Sequence, residues 1–181
     1  MSKEVIVDKT LEFSFPDDWE YSVYEDCKIR KDIQKKINSV RCVDLLLLNK
    51  PENILYIIEV KDYDTATTEK MKELVSDLPR VLSEKFIDTM AGLTCAKMCG
   101  DTELKHFYRA LLDPEVKKRF VSFVDLGQHC NDPRGNGRNL IANLHQRMKS
   151  VLKPVCCDKR MACDIKTLPA AYGWSVTRIK Q

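Results

Sequence analysis

The order of hydrophobic and polar positions along the chain predicts an α/β fold, with a mixed β-sheet flanked by helices. Two nearly continuous apolar runs, residues 40–48 and 54–63, are typical of central strands that are covered on both faces. Residues 49–53 between them have the composition of a hairpin turn. Further strands are expected at 4–15, 19–23, 119–126, 162–168 and 174–179, and helices at 27–37, 71–93, 102–113 and 140–152.

Three charged residues interrupt the two apolar runs of this hairpin: Asp44 in the first, and Glu59 and Lys61 in the second. Burying a charge among Leu, Ile and Val is costly without a compensating partner, so these residues need an explanation. Glu59 and Lys61 are two residues apart on a strand and therefore point to the same face. If the turn comprises residues 50–53, Asn49 pairs with Ile54, and the same register places Asp44 opposite Glu59.

Two opposed carboxylates repel each other unless a cation lies between them. Hard divalent cations prefer oxygen ligands, so Asp44 and Glu59 are candidate metal ligands, and the peptide carbonyl of Val60 is a candidate backbone ligand. Lys61, on the same face, is placed to contact a scissile phosphate or to orient an attacking water. The alternative for the same residues is a buried or edge ion-pair cluster without catalysis.

Asp44, followed by Glu59-Val60-Lys61 on a hairpin that precedes a helix, resembles the PD-(D/E)xK phosphodiesterase superfamily, which has the restriction-endonuclease-like fold. The resemblance extends in element order over residues 20–126, with Val43 at the position of the motif's Pro. It implies a Mg²⁺ or Mn²⁺ cofactor and hydrolysis of nucleic-acid phosphodiester bonds, with DNA preferred over RNA as the substrate. It also implies that Asp44 and Glu59 are metal ligands and that Lys61 is the catalytic lysine.

Many members of that superfamily carry a further acidic residue upstream of the Asp. Glu20, Glu25 and Asp26 are all candidates for this position, and Asp26 is the preferred metal ligand among them. The rival to an active nuclease is a catalytically silent scaffold or interaction module that keeps the fold within a larger complex.

Composition is typical of one globular domain over residues 1–181, with 44% hydrophobic and 31% charged residues. The net charge of +3 does not by itself indicate nucleic-acid binding. Basic residues nevertheless cluster, either as a solvated face or as a phosphate-binding surface, at Lys28, Arg30, Lys31, Lys35, Lys36 and Arg41. Arg134 and Arg138, in a glycine-rich loop that leads into a helix, are further candidates for nucleic-acid contact.

The eight cysteines are irregularly spaced and the N-terminus has no secretory signal pattern. Reduced thiols and a cytoplasmic location are therefore expected, with a structural zinc site as the less favoured alternative. The apolar runs are too short to span a bilayer, so no membrane association is expected. Expected partners are DNA and either a second copy of the chain or another protein of a larger assembly.

Overall fold

The computed structural model describes residues 2–7, 9–64, 77–127, 136–155 and 157–179, without the side chains of residues 136–138. Its strands are β1 (Ser2–Val7), β2 (Leu11–Pro16), β3 (Glu20–Val23), β4 (Leu45–Asn49), β5 (Ile54–Asp62), β6 (Lys117–Asp125), β7 (Lys159–Cys163) and β8 (Ser175–Arg178). Its helices are α1 (Lys28–Lys36), α2 (Leu78–Met98), α3 (Lys105–Leu112) and α4 (Asn136–Val151). Two 3₁₀ turns lie at Tyr24–Asp26 and Ala170–Tyr172.

The main sheet has five strands in the order β3-β4-β5-β6-β7. β4 is antiparallel to both of its neighbours, β3 and β5. The strands β5, β6 and β7 run parallel to one another. The connection from β5 to β6 contains α2 and α3, as a parallel crossover requires. The predicted α/β architecture with a mixed sheet is confirmed.

The β4–β5 hairpin has the register that the sequence predicts. Asn49 pairs with Ile54 and Leu45 with Ile58, so the four-residue turn comprises residues 50–53. Asn53 closes the turn in the left-handed region, with φ of 53°, and its N–H donates to the carbonyl of Lys50 at 3.2 Å. The expectation that the first strand begins at residue 40 is wrong, because β4 begins at Leu45.

The side chains of the hairpin alternate between two hydrophobic clusters. Leu46 and Leu48 of β4, with Leu55 and Ile57 of β5, pack in the cluster that includes α2, α3 and α4. The intervening side chains pack in a second cluster with β1, β2 and β8. Alternation therefore directs Glu59 to the helical face of the sheet.

A second sheet of three strands, in the order β1-β2-β8, covers the other face of the main sheet. The helices in the described part of the chain thus pack on the other face of the main sheet, opposite this smaller sheet. The single extended segment predicted at residues 4–15 is wrong, since the chain reverses between β1 and β2. Lys9 lies in this reversal in a left-handed conformation, with φ of 61°. The hydrophobic periodicity of the sequence does not predict this conformation.

Helix α2 lies against the sheet beside the hairpin. Pro79 occupies its first turn, where the missing N–H of proline costs no hydrogen bond. Leu82, Phe86 and Leu93 are fully buried, and the ring of Phe86 stacks on that of Phe120 with centroids 4.7 Å apart. This packing fixes the helix over the strands that carry the charged residues.

Candidate active site

Glu59 is a fully buried carboxylate that follows five buried, mainly apolar residues of β5. Its Oε1 accepts hydrogen bonds from Lys61 Nζ at 2.6 Å and from Lys85 Nζ at 2.5 Å. Its Oε2 is buried and has no hydrogen-bond partner among the described residues. Burial, and then repulsion from Asp44, raise the pKa of Glu59 to about 7, although both lysines act in the opposite direction. The two oxygens of this carboxylate therefore differ: Oε1 accepts from two lysines, whereas Oε2 has no acceptor bond within the described part of the chain.

Lys61 lies two residues after Glu59 on the same strand face, with about a third of its side chain exposed. Burial is the largest single influence and lowers the pKa of Lys61, but the attraction and hydrogen bond of Glu59, together with the charge of Asp44, raise it above the ordinary value. Lys61 therefore remains a cation at neutral pH, suited to contact a phosphate oxygen and unsuited to act as a general base.

Asp44 is hydrogen-bonded to Ile58 and Val60, the two residues that flank Glu59. Its backbone N–H donates to the carbonyl of Ile58 at 3.2 Å, and its Oδ2 accepts from the N–H of Val60 at 2.6 Å. The N–H and C=O of one strand residue point toward the same neighbouring strand, so the Val60 carbonyl lies on the Asp44 side of β5. The structure thus brings together Asp44, Glu59, Val60 and Lys61, the four predicted residues of the hairpin.

The three upstream acids have different surroundings. Glu20 lies at the turn end of the hairpin, opposite Leu48, and pairs with Lys50 at 2.5 Å. Asp26 is an exposed residue that pairs with Lys31 at 2.9 Å. Glu25 is close enough to the hairpin that burial, followed by repulsion from Asp44, raises its pKa. Of the three acids, Glu25 is thus the one whose pKa is raised by burial and by the charge of Asp44, while Asp26 as a metal ligand stays a prediction.

Sequence reasoning missed Lys85, which reaches Glu59 from α2 with only 16% of its side chain exposed. Lys85 lies three residues after the buried Leu82 and four residues before the buried Thr89. This spacing places it on the buried face of the helix. A lysine on such a stripe needs an acidic partner in the core. This was the signal available in the sequence.

One face of α2 positions several parts of the site. Lys85, Thr89 and Gly92 follow the i, i+4, i+7 spacing of a single helical face. Thr89 Oγ1 accepts from the backbone N–H of Val43 at 3.1 Å and so fixes the residue before Asp44. Gly92 leaves space for Tyr24, since a Cβ at this position would lie 2.4 Å from the tyrosine hydroxyl. Tyr24 begins the 3₁₀ turn that contains Glu25.

A separate ion cluster lies at the carboxyl ends of β5 and β6. Arg178 donates to Asp62 at 2.8 Å and to Asp125 at 2.6 Å, so a strand of the smaller sheet is linked to two strands of the main sheet. Hydrogen bonds from Arg178 and from Thr10 help to lower the pKa of Asp62 against the effect of burial. Asp62 is therefore a structural residue rather than part of the candidate site.

The remaining predicted contacts are not described by the structure. Arg134 lies outside the described residues, and Arg138 is in the first turn of α4 but its side chain is not described. Within the described ranges, no cluster of three or more His, Cys, Asp or Glu side chains has the arrangement of a metal site. No helix in these ranges has both the length and the apolar character needed to cross a membrane.

Comparison with known proteins gives one partial similarity. A cysteine–tRNA ligase of Neisseria meningitidis is 32% identical over a 136-residue alignment, which covers 60% of this chain and 19% of the ligase. The chain thus matches about a fifth of the length of that relative. No protein-family model matches the chain, and no solved structure matches it.

Proposed function

We propose that the chain is a divalent-metal-dependent nuclease of the restriction-endonuclease-like class, which hydrolyses phosphodiester bonds of DNA. The observation that carries this proposal is the buried carboxylate of Glu59, which has one oxygen held by two lysines and the other without a partner in the part of the chain that the structure describes. Asp44 is near enough for its charge to raise the pKa of Glu59. A cation between these carboxylates would remove their repulsion and supply the missing partner of Oε2.

The donor set fits Mg²⁺ or Mn²⁺. Mg²⁺ is commonly bound by one or two carboxylates, with water and substrate phosphate completing its coordination, so a cluster of three acidic side chains is not required. Asp44, Glu59 and the carbonyl of Val60 would hold the ion, and Glu25 is placed to act from the adjacent turn. When bound, the ion would polarise the phosphate and lower the pKa of a coordinated water.

The two lysines divide the remaining tasks. Lys61, partly exposed and cationic, is placed to bind the scissile phosphate and to stabilise the negative charge that develops on it. Lys85, nearly buried, holds Oε1 of Glu59 and so leaves Oε2 for the ion. Lys85 acts through Glu59 and is a positioning residue.

The order of elements supports the class. Three antiparallel strands, a helical crossover and a fourth strand parallel to the third follow one another over residues 20–125, with Asp44 directly before the second strand and Glu59 and Lys61 on the third. DNA is the proposed substrate. The name of the matched ligase makes tRNA a necessary member of the test panel.

The second candidate is a catalytically silent scaffold. It is favoured by the same two ion pairs, because Lys61 and Lys85 together supply enough positive charge to compensate Glu59 without a metal. In that case the Asp44 carboxylate is held by the N–H of Val60 and the site has no substrate.

The deciding experiment measures cleavage of single-stranded, duplex and branched DNA and of tRNA, each with Mg²⁺, Mn²⁺ and EDTA. The nuclease proposal expects metal-dependent cleavage of DNA that EDTA stops. Lys61→Ala should reduce the rate by roughly 10²- to 10³-fold, as expected for loss of a group that stabilises transition-state charge. Lys50→Ala, in the turn of the same hairpin, is the matched control and should cleave like the wild type.

Cleavage of tRNA alone would keep the chemistry and correct the substrate. An intact wild-type protein that cuts none of these substrates would favour the scaffold. Cleavage that survives Lys61→Ala would place the chemistry away from this hairpin.

A further inference from the structure

Helix α1 has a strongly asymmetric charge. Its nine residues contain five basic side chains and one acidic side chain, so the helix has a net charge of +4. The whole chain has a net charge of +3, and the remainder of the chain is therefore net −1. α1 alone therefore has a larger net charge than the whole chain, and it is more densely charged than α4, whose sixteen residues include three basic and no acidic side chains. A solvated surface helix normally mixes both signs, so the imbalance calls for a partner.

The basic side chains are arranged as a stripe. Lys28, Lys31 and Lys35 follow the i, i+3, i+7 spacing, which places them on one face of the helix. Ile29 lies on a different face and packs against the helical core cluster. All three lysines are exposed, and the stripe extends over about 10 Å at 1.5 Å per residue.

Two of the three lysines lie where they weaken the helix, whereas Lys35 is in the last turn, where the helix dipole favours a positive charge. Lys28 and Lys31 lie in or beside the first turn, which contains no acidic residue, and Cys27 makes no side-chain capping hydrogen bond. Positive side chains at a helix N-terminus are disfavoured by the helix dipole. α1 also has no fully buried residue to compensate. A bound anion would reverse this unfavourable interaction.

The helix is also next to the candidate active site. It begins directly after the 3₁₀ turn that contains Glu25, and Arg30 Nη1 lies 3.4 Å from the backbone oxygen of Glu25. Two lysines of the stripe have exposed ion pairs, Lys31 with Asp26 at 2.9 Å and Lys35 with Asp32 at 3.4 Å. Exposed pairs of this kind contribute little to stability, so phosphate oxygens can replace the carboxylates at small cost.

We infer that Lys28, Lys31 and Lys35 form a contact surface for the phosphate backbone of a nucleic acid whose scissile bond lies at Glu59 and Lys61. This inference rests on the proposed nuclease function and adds the surface that holds the substrate beside the site. A duplex presents about one phosphate charge per 1.7 Å of its axis, so the stripe faces several phosphates at once. Contacts of this kind hold the backbone without reading the base sequence.

The test measures binding of a labelled DNA duplex in EDTA, where no cleavage occurs, between about 50 and 200 mM salt. Replacing Lys28, Lys31 and Lys35 together by Ala should weaken binding at least tenfold at the lower salt concentration. The slope of log affinity against log salt should become shallower by roughly 2 to 3, at about 0.9 for each lost phosphate contact. Replacing the same three residues by Arg keeps the charge and should preserve binding.

The matched control removes three lysines at the opposite end of the sheet. Lys117 and Lys159 lie at the beginning of β6 and β7, and Lys153 lies in the turn that precedes β7. Lys117 pairs with Ile54, whereas Lys61 pairs with Val124, seven residues further along β6. The triple Ala variant of these control lysines should bind nearly as well as the wild type, with unchanged far-ultraviolet circular dichroism in both triple variants.

The outcomes separate this surface from the nuclease proposal. Equal binding losses in the two triple Ala variants would overturn the surface, and so would wild-type binding by the Lys28/Lys31/Lys35 variant. Binding of vesicles of phosphatidylserine and phosphatidylcholine, with none to DNA or tRNA, would also overturn it and assign α1 to a lipid surface. Specific loss of DNA binding in a protein that cleaves nothing would keep the surface and reject the nuclease.

Discussion

Lys61 and Lys85 donate to the same atom, Oε1 of Glu59, one from a strand and the other from a helix that the chain reaches about twenty residues later. Two ammonium groups on one buried oxygen orient the carboxylate, and its second oxygen has no hydrogen-bond partner within the described ranges. The arrangement couples the packing of α2 on the sheet to the geometry of the candidate site.

The first prediction concerns this coupling. Lys85→Met keeps most of the side-chain volume but leaves the buried Glu59 with a single cation. The free energy of unfolding should fall by about 1–3 kcal/mol at pH 8, because a buried charge loses a hydrogen-bonded partner. Urea unfolding measures this loss. Lys97→Met, a change at an exposed position of the same helix, should alter the free energy of unfolding by less than about 0.5 kcal/mol. A change of the same small size in Lys85→Met would show that the ion pair of Lys85 with Glu59 does not stabilise the fold.

The second prediction concerns pH. The pKa of Glu59 is raised from 4.5 to about 7, so between these values the folded protein keeps a proton that the unfolded chain releases. The contribution of Glu59 to the free energy of unfolding should therefore be greatest below pH 4.5. It should fall by roughly 3 kcal/mol in total as the pH rises to about 7. The pKa of Glu25 is also raised and adds a change in the same direction.

Urea unfolding in EDTA from pH 5 to 8 measures this change, with Glu59→Gln as the reference. Because every other titrating group is common to both proteins, the difference in stability between them isolates Glu59. The wild type should lose stability relative to Glu59→Gln as pH rises. A constant difference over this range would contradict the raised pKa.

The hairpin could be predicted from sequence, because its information is local. The apolar runs and the polar turn at residues 50–53 leave one register that keeps Asp44 and Glu59 on the helical face, and this register is observed. Lys85 could not be assigned in the same way. Its partner is 26 residues distant, and a lysine in a helix is normally solvated.

The smaller sheet could also not be predicted from local sequence patterns. Its strands come from both ends of the described chain, and only the tertiary fold pairs β2 with β8. The choice between Glu25 and Asp26 had the same difficulty, since adjacent residues in a 3₁₀ turn point in different directions. Sequence reasoning preferred Asp26, whereas the orientation of the turn is set by the packing of Tyr24 against Gly92.

The third prediction tests that packing. Gly92→Ala would place a Cβ 2.4 Å from the hydroxyl of Tyr24, a distance that the backbone of α2 or the tyrosine must relieve. A loss of about 1–3 kcal/mol in stability is expected, as for other overpacked core positions. The Tyr24 hydroxyl is buried without a hydrogen-bond partner among the described residues, so Tyr24→Phe should be close to neutral.

The double variant decides the origin of that loss. With the hydroxyl removed, the next nearest atom to the new Cβ is Tyr24 Cζ at 3.7 Å, an ordinary contact. Tyr24→Phe should therefore recover most of the stability lost in Gly92→Ala, as measured by urea unfolding. Additive effects of the two changes would show that the hydroxyl is not what Gly92 accommodates.

The last prediction concerns metal binding. Mn²⁺ at pH 8 and at a hundredfold excess over its dissociation constant should stabilise the protein by about 2.7 kcal/mol. For a chain of this size, that gain corresponds to a rise of roughly 5–10 °C in Tm. Asp44→Asn keeps an oxygen to accept from the N–H of Val60 but removes the charge, so the apo protein should remain folded and the Mn²⁺ response should disappear.

Glu25→Gln should weaken the response, whereas Asp26→Asn, on an exposed carboxylate paired with Lys31, should leave it intact. Differential scanning fluorimetry of the three variants with and without Mn²⁺ measures these shifts. A full response in Asp44→Asn would remove Asp44 from the ligands, and a response lost only in Asp26→Asn would restore Asp26 as the upstream acid.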